Sequence, residues 1–281
     1  MDYRKEFRVQ PGAKVKLDPG YTGRHASHDD AKPQIERYLK KLFDQQNLLY
    51  AAHTHSILVV LQALDAGGKD GTIKHVFTAL NPQGTSVASF KEPTPVELAH
   101  DFLWRVHPHT PGKGEIMIFN RSHFEDVLVP RVHKLIDKAT WTRRVQHIRD
   151  FEALLADSGT TVLKFFLHIS KEEQLARFAQ RLDDPDRNWK ISESDYTERK
   201  LWDGYIEAFE DMIRATSTKT APWYVIPSNH KWFRDLAVSQ IMADTMEDLK
   251  LAFPPPSVDL AVIRRKYHAA LREDKTGRKK A

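Results

Sequence analysis

A glycine-rich segment in the first third of the chain carries residue types that bind phosphate. It reads Asp65-Ala-Gly-Gly-Lys69-Asp-Gly-Thr72 and follows the apolar run 57–61. Such a run is typical of a buried parallel strand, and the residues after Thr72 have a helical pattern. Glycines let backbone N–H groups approach an anion closely, and the helix N-terminus attracts negative charge. The predicted phosphate contacts in this segment are Gly67, Gly68, Lys69, Asp70, Gly71 and Thr72.

Two side chains of this segment predict separate roles. Lys69 is expected to lie over phosphate oxygens as a mobile point charge. Asp65 follows the strand, and a carboxylate beside phosphates is repelled unless a cation lies between them, so Asp65 is a predicted magnesium ligand. The match to G-x-x-x-x-G-K-[ST] is imperfect, because Ala63 replaces the first glycine and Asp70 follows the lysine. The alternative is a turn that only closes a strand–helix unit, with Lys69 in solvent.

A second candidate site lies at the end of another predicted strand, in the segment 119–128. In P-loop proteins the strand across from the cradle usually ends in a carboxylate, whereas this strand ends at Asn120 and continues into Arg121. Glu125 and Asp126 follow one turn later. We interpret Glu125 as a candidate for acceptor handling and Asp126 as structural. The alternative for both is an exposed acidic first turn that the helix dipole favours.

Three pairs of basic residues follow residue 130, and two of these pairs are spaced to share a helix face. They are Arg131 and Lys134 on one predicted helix, Arg177 and Arg181 on another, and Arg187 and Lys190 in the loop 183–190. The last two pairs resemble the mobile lid of nucleoside monophosphate kinases, which places arginines over the transferred phosphate. The alternative is a solvated helix of mixed charge.

Composition excludes several classes of protein. The 281 residues are 41% hydrophobic and 29% charged, without cysteine, which indicates a globular protein with no disulfides and no thiolate nucleophile. No apolar run reaches the length of a membrane span, and the N-terminus lacks an apolar signal region, so we expect a cytoplasmic protein. The net charge of +5 favours a polyanionic partner.

The order of the predicted elements indicates an α/β fold. After an irregular start, a leading helix over 31–50 precedes strands that alternate with helices. The predicted strands are 57–61, 85–90, 115–119, 161–169 and 223–226, and the predicted helices are 72–80, 93–107, about 122–137, 142–156, 170–184, 196–216 and 232–251. Alternation of this kind implies a parallel sheet with helices on both faces and ligands at the carboxyl ends of the strands.

With these motifs in hand, the chain resembles the polyphosphate kinase 2 family over residues 5–255. The segments 65–71 and 119–128 match its first two motifs, and 184–190 resembles its lid. The resemblance implies a P-loop kinase-like, three-layer fold. It divides the chain into an N-terminal extension (1–50), a kinase domain (51–255) with a helical lid at about 170–200, and a basic tail (256–281). Within the family, Asn120 with Glu125 and Asp126 resembles the class III branch, which is associated with phosphorylation of both AMP and ADP.

The resemblance also implies an activity and a set of partners. The terminal phosphoryl group of inorganic polyphosphate would pass directly and reversibly to ADP and AMP, giving ATP and ADP, with Mg²⁺ or its substitute Mn²⁺. Asp65, Lys69, Arg121 and Glu125 would be catalytic, and Asn120 places in doubt the strand-end carboxylate of many members. A basic channel for the polyanion could be lined by Lys69, Lys74, Arg121, Arg131, Lys134, Arg177 and Arg181. The assembly would be a homodimer or homotetramer, without a nucleic-acid or membrane partner.

Two alternatives stay open at this point. An ATP-dependent nucleoside or nucleotide kinase of the same fold would transfer phosphate from ATP without polyphosphate. A basic nucleic-acid-binding protein would need aromatic residues interleaved with basic ones on an exposed face, and the sequence shows no such stripe.

Overall fold

The computed structural model describes residues 1–18 and 27–277 and contains a five-stranded parallel sheet. Its strands are β1 (Ser56–Gln62), β2 (Thr85–Ser89), β3 (Ile116–Asn120), β4 (Thr160–His168) and β5 (Trp223–Pro227). They lie in the order β2-β3-β1-β4-β5, and all neighbouring pairs are parallel. Every strand therefore ends at the same edge of the sheet, with β1 in the middle.

Helices connect the strands and cover both faces of the sheet. The helices of the described residues are α1 (Tyr3–Phe7), α2 (His28–Ala52), α3 (Lys69–Thr72), α4 (Pro95–Leu98), α5 (Glu125–Val132), α6 (Lys138–Asp157), α7 (Lys171–Asp183), α8 (Glu193–Arg199), α9 (Trp202–Thr216), α10 (Lys231–Asp248) and, outside the unit that contains the sheet, α11 (Leu260–Gly277). A π-helical turn (Ile73–Phe77) continues α3, and short 3-10 helices occur at Pro82–Gly84, His107–His109 and Asn188–Lys190. Side chains of Ser27, Asp137 and Ser170 cap α2, α6 and α7 by accepting from backbone N–H groups of the first turn.

The side chains of β1 divide between two hydrophobic cores. Ile57, Val59 and Leu61 pack with residues of α1, α2 and α10, whereas Leu58 and Val60 pack with residues of α5, α6 and α9. Successive side chains of a strand point to opposite faces, and both faces are covered, which is why β1 is apolar at every position except its two ends. The predicted three-layer α/β fold is confirmed.

Three helix predictions are wrong in extent. The segment 93–107 is α-helical only in α4. Beyond it the Asp101 carboxylate accepts from the Leu103 N–H (3.0 Å), which offers the backbone an alternative to the α-helix. The helix predicted to reach 137 ends at Val132, after which Lys134 has a left-handed φ of 57°. The helix predicted over 196–216 breaks into α8 and α9. An additional short helix, α1, lies in the segment predicted to be irregular.

The chain divides into two compact units, residues 1–251 and residues 252–281. The first unit contains the sheet with α1–α10, and both α1 and α2 contribute to its core, although the sequence predicts an extension there. The second unit contains α11, where the sequence predicts only a basic tail. The end of the predicted basic tail, residues 278–281, and residues 19–26 of the predicted irregular start lie outside the described residues. Within the described part of the chain, no helix is both long and apolar enough to cross a membrane.

Candidate functional site

The glycine-rich segment forms a tight loop between β1 and α3, at the carboxyl edge of the sheet. The Gly67 N–H donates to the Leu64 carbonyl, and the Thr72 N–H donates to the Gly68 carbonyl, both at 2.9 Å. The Lys69 ammonium donates to the Ala63 carbonyl at 2.9 Å, so its side chain folds back across the loop. A strand, a tight loop and a helix start occur here as the sequence predicts. Whether the loop binds phosphate stays a prediction.

Two of its glycines are required because neighbouring groups come very close. A Cβ on Gly67 would lie 2.4 Å from the Ala63 Cβ, and a Cβ on Gly68 would lie 2.2 Å from Nη1 of Arg234. Gly68 also has a left-handed φ of 108°. Arg234 is a buried residue of α10, held by the Asp235 carboxylate at 2.7 and 2.8 Å. Sequence reasoning missed it, although the adjacent charged pair Arg234 and Asp235, followed by the apolar residues 236–238, was an available signal.

The structure brings together the four residues predicted to be catalytic. Nη2 of Arg121 lies 3.3 Å from Oδ1 of Asp65, across the edge between β3 and the glycine loop. Glu125 begins α5, and its Oε1 accepts from Nε2 of Gln62 at 3.1 Å. The charges of Asp65 and Glu125 both act on Lys69. Gln62, the last residue of β1, is fully buried, and sequence reasoning missed it as well.

Burial shifts the pKa values of two of these groups in opposite directions. Burial raises the pKa of Glu125, against the charges of Arg121 and Lys69, which lower it. Burial lowers the pKa of Lys69, against the charge of Asp65, which raises it. Each group thus loses solvation by water, and its charged form is stabilised by its charged neighbours instead. Electrostatic forces on a bound anion are stronger in such a setting than in water.

Asp70 connects the loop to β3 and to the segment predicted as the lid. Its Oδ1 accepts from the Asn120 amide at 3.0 Å, and its Oδ2 accepts from the Lys190 ammonium at 3.3 Å. Desolvation by itself would raise the pKa of Asp70, but these two hydrogen bonds, together with the charges of Lys190 and Lys69, outweigh it and the pKa falls below its usual value. Asp70 therefore holds Lys190 beside the loop. The predicted phosphate contact of Asp70 is not tested by this arrangement.

A cavity of about 710 Å³ opens in front of these groups, and Asp65, Arg121 and Glu125 line it. Its opposite wall comes from α8 and α9, where Tyr205 donates to Oε2 of Glu198 at 2.6 Å. Burial, followed by the hydrogen bond to Glu198, raises the pKa of Tyr205. The cavity has the size and the mixed apolar and charged lining of a small-molecule site.

Two arginines that sequence reasoning missed form a basic end of this cavity. Nη2 of Arg105 lies 3.1 Å from Oδ2 of Asp126, and Nη1 of Arg144 donates to the Asp126 carbonyl at 2.8 Å. Arg105 also donates to the Lys91 carbonyl at 2.8 Å. Asp126 thus has a structural partner, as interpreted from the sequence, although it also lines the cavity.

The basic residues of the predicted channel have different environments. Arg177 is buried and donates to the carbonyls of Ala66 and Ser228 at 2.8 and 2.5 Å, so it supports the glycine loop. Arg131 pairs with Asp211 at 2.5 Å. Of the others, Arg181 donates to the Lys190 carbonyl, Arg187 pairs with Asp184, and Lys74 and Lys134 are exposed.

The predicted shared face of Arg131 and Lys134 is wrong. The helix that would carry both ends at Val132, because the chain turns through the left-handed Lys134 and the Leu135 N–H donates to the Pro130 carbonyl at 2.7 Å.

The donor set suits magnesium bound together with substrate. Among the residues that the structure describes, no three His, Asp or Glu side chains cluster in the manner of an all-protein metal site. Magnesium, however, keeps several waters and is commonly held by one or two carboxylates plus substrate phosphates. Asp65 is partly exposed at the cavity wall beside the glycine loop, so its carboxylate fits such a site.

Comparisons with known proteins agree with this geometry. The family model described as polyphosphate kinase 2 matches residues 25–254. The chain belongs to the polyphosphate kinase 2 family. It is 52% identical over 259 residues to the AMP/ADP-polyphosphate phosphotransferase of Meiothermus ruber, covering 90% of this chain and 96% of that protein. It is 44% identical to the ADP-polyphosphate phosphotransferase of Rhodopseudomonas palustris, covering 89% and 92%.

A solved polyphosphate kinase 2 has the same fold. The crystal structure of the enzyme from Arthrobacter aurescens superposes with a TM-score of 0.91 at 38% sequence identity, covering 96% of this chain and 97% of that one. The resemblance to a polyphosphate kinase 2 is therefore confirmed by family, by relatives and by fold. The expectation of a phosphotransferase is confirmed with it, and the alternative of a nucleic-acid-binding protein gains no support.

Proposed function

We propose that this polyphosphate kinase 2 transfers the terminal phosphoryl group of inorganic polyphosphate to ADP and to AMP, giving ATP and ADP. The observation that carries the proposal is the grouping of Asp65, Arg121 and Glu125 on the wall of a single cavity, with Lys69 of the glycine loop close enough for the charges of Asp65 and Glu125 to act on it. Names of the two similar relatives, which include AMP and ADP, support the choice of acceptors.

Direct in-line transfer needs positioning and charge stabilisation rather than a covalent intermediate. Lys69 and the N–H groups of the glycine loop would hold phosphates at the reacting centre, and Arg121 would offset charge that develops on the transferred group. Glu125 would orient the acceptor, because it begins α5 on the wall that the acceptor would contact. The same geometry serves the reverse direction.

Asp65 would hold Mg²⁺, or Mn²⁺ in its place, between its carboxylate and the substrate phosphates. The bound ion would reduce repulsion between the two polyanionic substrates. Arg121, 3.3 Å from Asp65, would keep the carboxylate directed at the ion.

Polyphosphate would approach along the basic residues near the loop. The residues that would contact it most directly are Lys69, Lys74, Arg121, Lys134, Arg181, Arg187 and Lys190. Arg177 is buried against the glycine loop and Arg131 pairs with Asp211, so these two would shape its path. The segment 170–200 would act as a lid, with Lys190 exchanging Asp70 for phosphate. We further propose a cytoplasmic homodimer or homotetramer that binds neither nucleic acid nor membrane.

The first test is ATP formation, followed by luciferase, from ADP plus polyphosphate and magnesium, with AMP assayed in parallel. With ADP as acceptor we expect ATP. With AMP as acceptor we expect ADP first and then ATP. ATP from ADP alone would remove AMP as an acceptor and keep the family reaction. No product from either acceptor with folded protein, but transfer from ATP to a nucleoside, would contradict the proposal.

Binding separates polyphosphate from nucleic acid. Unlabelled polyphosphate is expected to displace a labelled polyphosphate probe, whereas duplex DNA at equal phosphate concentration is not, at two salt concentrations. Displacement by DNA would contradict the absence of a nucleic-acid partner.

A further inference from the structure

A cluster of ionisable side chains lies inside the core that contains α5, α6 and α9, away from the cavity. His123, Glu152 and Lys164 are each at most 1% exposed. Nζ of Lys164 lies 2.5 Å from Oε2 of Glu152, and Nε2 of His123 lies 3.4 Å from Oε1 of the same carboxylate. Lys164 also donates to the Thr216 carbonyl at 2.8 Å. None of these three groups has a part in the transfer described above.

Stability alone does not explain this cluster. Removing charges from water is costly, and apolar side chains of similar volume often serve a core equally well. The surroundings are suited to apolar groups, since Lys164 lies over the rings of Phe124 and Trp223 at 5.4 Å each. Nδ1 of His123 is buried and has no hydrogen-bond partner among the described residues, which adds a further cost. A role outside stability would account for polar groups at these positions.

The cluster is joined to the candidate site through the turn between β3 and α5. His123 lies two residues after Arg121 and two before Glu125, on the inner side of that turn. Arg121 has a left-handed φ of 60°, a conformation that L residues adopt rarely and only with support. The Arg121 N–H donates to the Leu61 carbonyl at 3.2 Å, and the Glu125 N–H donates to the Ser122 carbonyl at 3.0 Å. Among the contacts of the described residues, the one side-chain hydrogen bond between this turn and the Glu152 carboxylate comes from His123.

The other end of the cluster is fixed to the rigid centre of the sheet. Lys164 is the fifth residue of β4 and pairs with Val60 of β1, the strand that leads into the glycine loop. Glu152 lies on α6, which packs on this face. The cluster therefore links the turn of Arg121 to β4, the direct neighbour of the strand that leads into the glycine loop.

We propose that Lys164, Glu152 and His123 form a positioning network that holds the β3–α5 turn, and with it Arg121 and Glu125, in the arrangement required for phosphoryl transfer. The proposal rests on the roles given to Arg121 and Glu125 under the proposed function. The network touches no substrate. Its effect on the reaction is exerted through the turn.

A matched pair of substitutions at His123 tests the hydrogen bond. Glutamine can reach Glu152 with an N–H at the position of Nε2, and methionine has the same length without a donor. We expect His123→Gln to keep kcat within about threefold of wild type and His123→Met to lower it by about 10-fold to 100-fold, with KM for ADP and polyphosphate unchanged in both. Equal kcat values for the two variants would overturn the proposal.

Removal of the ion pair separates folding from catalysis. Glu152→Leu or Lys164→Met alone leaves an unpaired buried group, so each should lower Tm strongly, whereas the double variant should recover most of that loss. In the double variant His123 still lacks its acceptor, so kcat should stay as low as in His123→Met. Recovery of kcat together with Tm would assign the cluster to stability alone and overturn the proposal.

A structural readout does not depend on the substrate. In crystal structures of the two His123 variants, we expect the contact between Arg121 and Asp65 to persist with glutamine and to be lost with methionine. An unchanged turn in both variants would overturn the network even if the wild type is fully active. If instead the wild type makes no ATP and the turn is displaced only in His123→Met, the proposed function would be refuted and the network would be kept.

Discussion

At the scale of single residues, the environment of each charged side chain decides what that side chain can do. Arg121 is partly exposed at the cavity and pairs with Asp65. Arg177 and Arg234 are buried against the glycine loop, where one donates to the Ala66 carbonyl and the other lies against Gly68. The guanidinium group is the same in all three. Only at Arg121 does it face a space that a phosphate could enter.

Lys69 is the residue whose substitution tests the site most directly. Its ammonium has three donors, of which one bonds the Ala63 carbonyl, and its charge is countered by Asp65 and Glu125. We expect Lys69→Ala to lower kcat to well under a tenth of wild type, because phosphates at the reacting centre lose a point charge, while Tm stays close to wild type. Luciferase detection of ATP and a thermal melt measure the two effects.

Lys138→Ala is the matched control, since Lys138 is an exposed lysine at the start of α6. It should leave both quantities unchanged. Lys69→Ala activity above about a tenth of wild type would contradict the role of Lys69.

At the scale of elements, the carboxyl ends of the strands carry side chains whose ionisation differs between folded and unfolded chain. His168 ends β4 and is 1% exposed, with Nε2 lying 3.3 Å from the Asp18 carbonyl. Burial lowers the pKa of His168 from 6.5 to about 4. The fold therefore favours the neutral form of the His168 side chain over the charged form.

This shift predicts a pH-dependent stability. Between pH 6.5 and 4 the unfolded chain binds a proton at His168 that the folded chain does not, so the contribution is complete above pH 6.5 and is lost as pH falls toward 4. From pH 7 to pH 5 the loss should be roughly 2 kcal/mol in the free energy of unfolding. Urea unfolding of wild type and of His168→Gln at both pH values measures it.

His168→Gln retains an N–H for the Asp18 carbonyl and cannot be protonated in this range. Its stability should fall about 2 kcal/mol less than that of wild type over the same interval. Parallel losses in the two proteins would show that His168 is not the group responsible.

At the scale of the whole molecule, the sheet and both cores lie within residues 1–251. Leu251 packs against the core that contains α2 and α10, so the packed part of this unit extends to its last residue. The unit 252–281 contains α11, whose exposed side chains include Leu260, Ile263 and Tyr267. The residues proposed for catalysis and phosphate binding all belong to the first unit.

A chain that ends at Leu251 should therefore fold and remain active. We expect one cooperative unfolding transition with a Tm within a few degrees of the full chain, and ATP formation within about threefold, because no core residue is removed. Calorimetry and the luciferase assay on the two chains measure this. Loss of the transition, or of ATP formation with the transition intact, would show that residues 252–281 contribute to the fold or to the reaction.

The sequence by itself determined the strand–loop–helix order, because that order depends on local patterns. The apolar run of β1, the glycines of residues 67–71 and the serine cap of α7 are each readable within a few neighbouring residues. Parallel strands that are connected by helices all end at the same edge of the sheet. Asp65 and Lys69 follow β1 and Arg121 follows β3, so all three had to lie near that edge. The fold and the grouping of these three residues followed from spacing.

The tertiary structure alone decided which partners the polar groups have. The contacts of Gly68 with Arg234, of Gln62 with Glu125 and of Lys164 with Glu152 join residues that are distant in sequence, and no local pattern encodes them. The end of α5 at Val132 likewise depends on a left-handed lysine where no glycine marks a stop. Packing in three dimensions sets these features, since the energy of a buried charge depends on the groups that surround it.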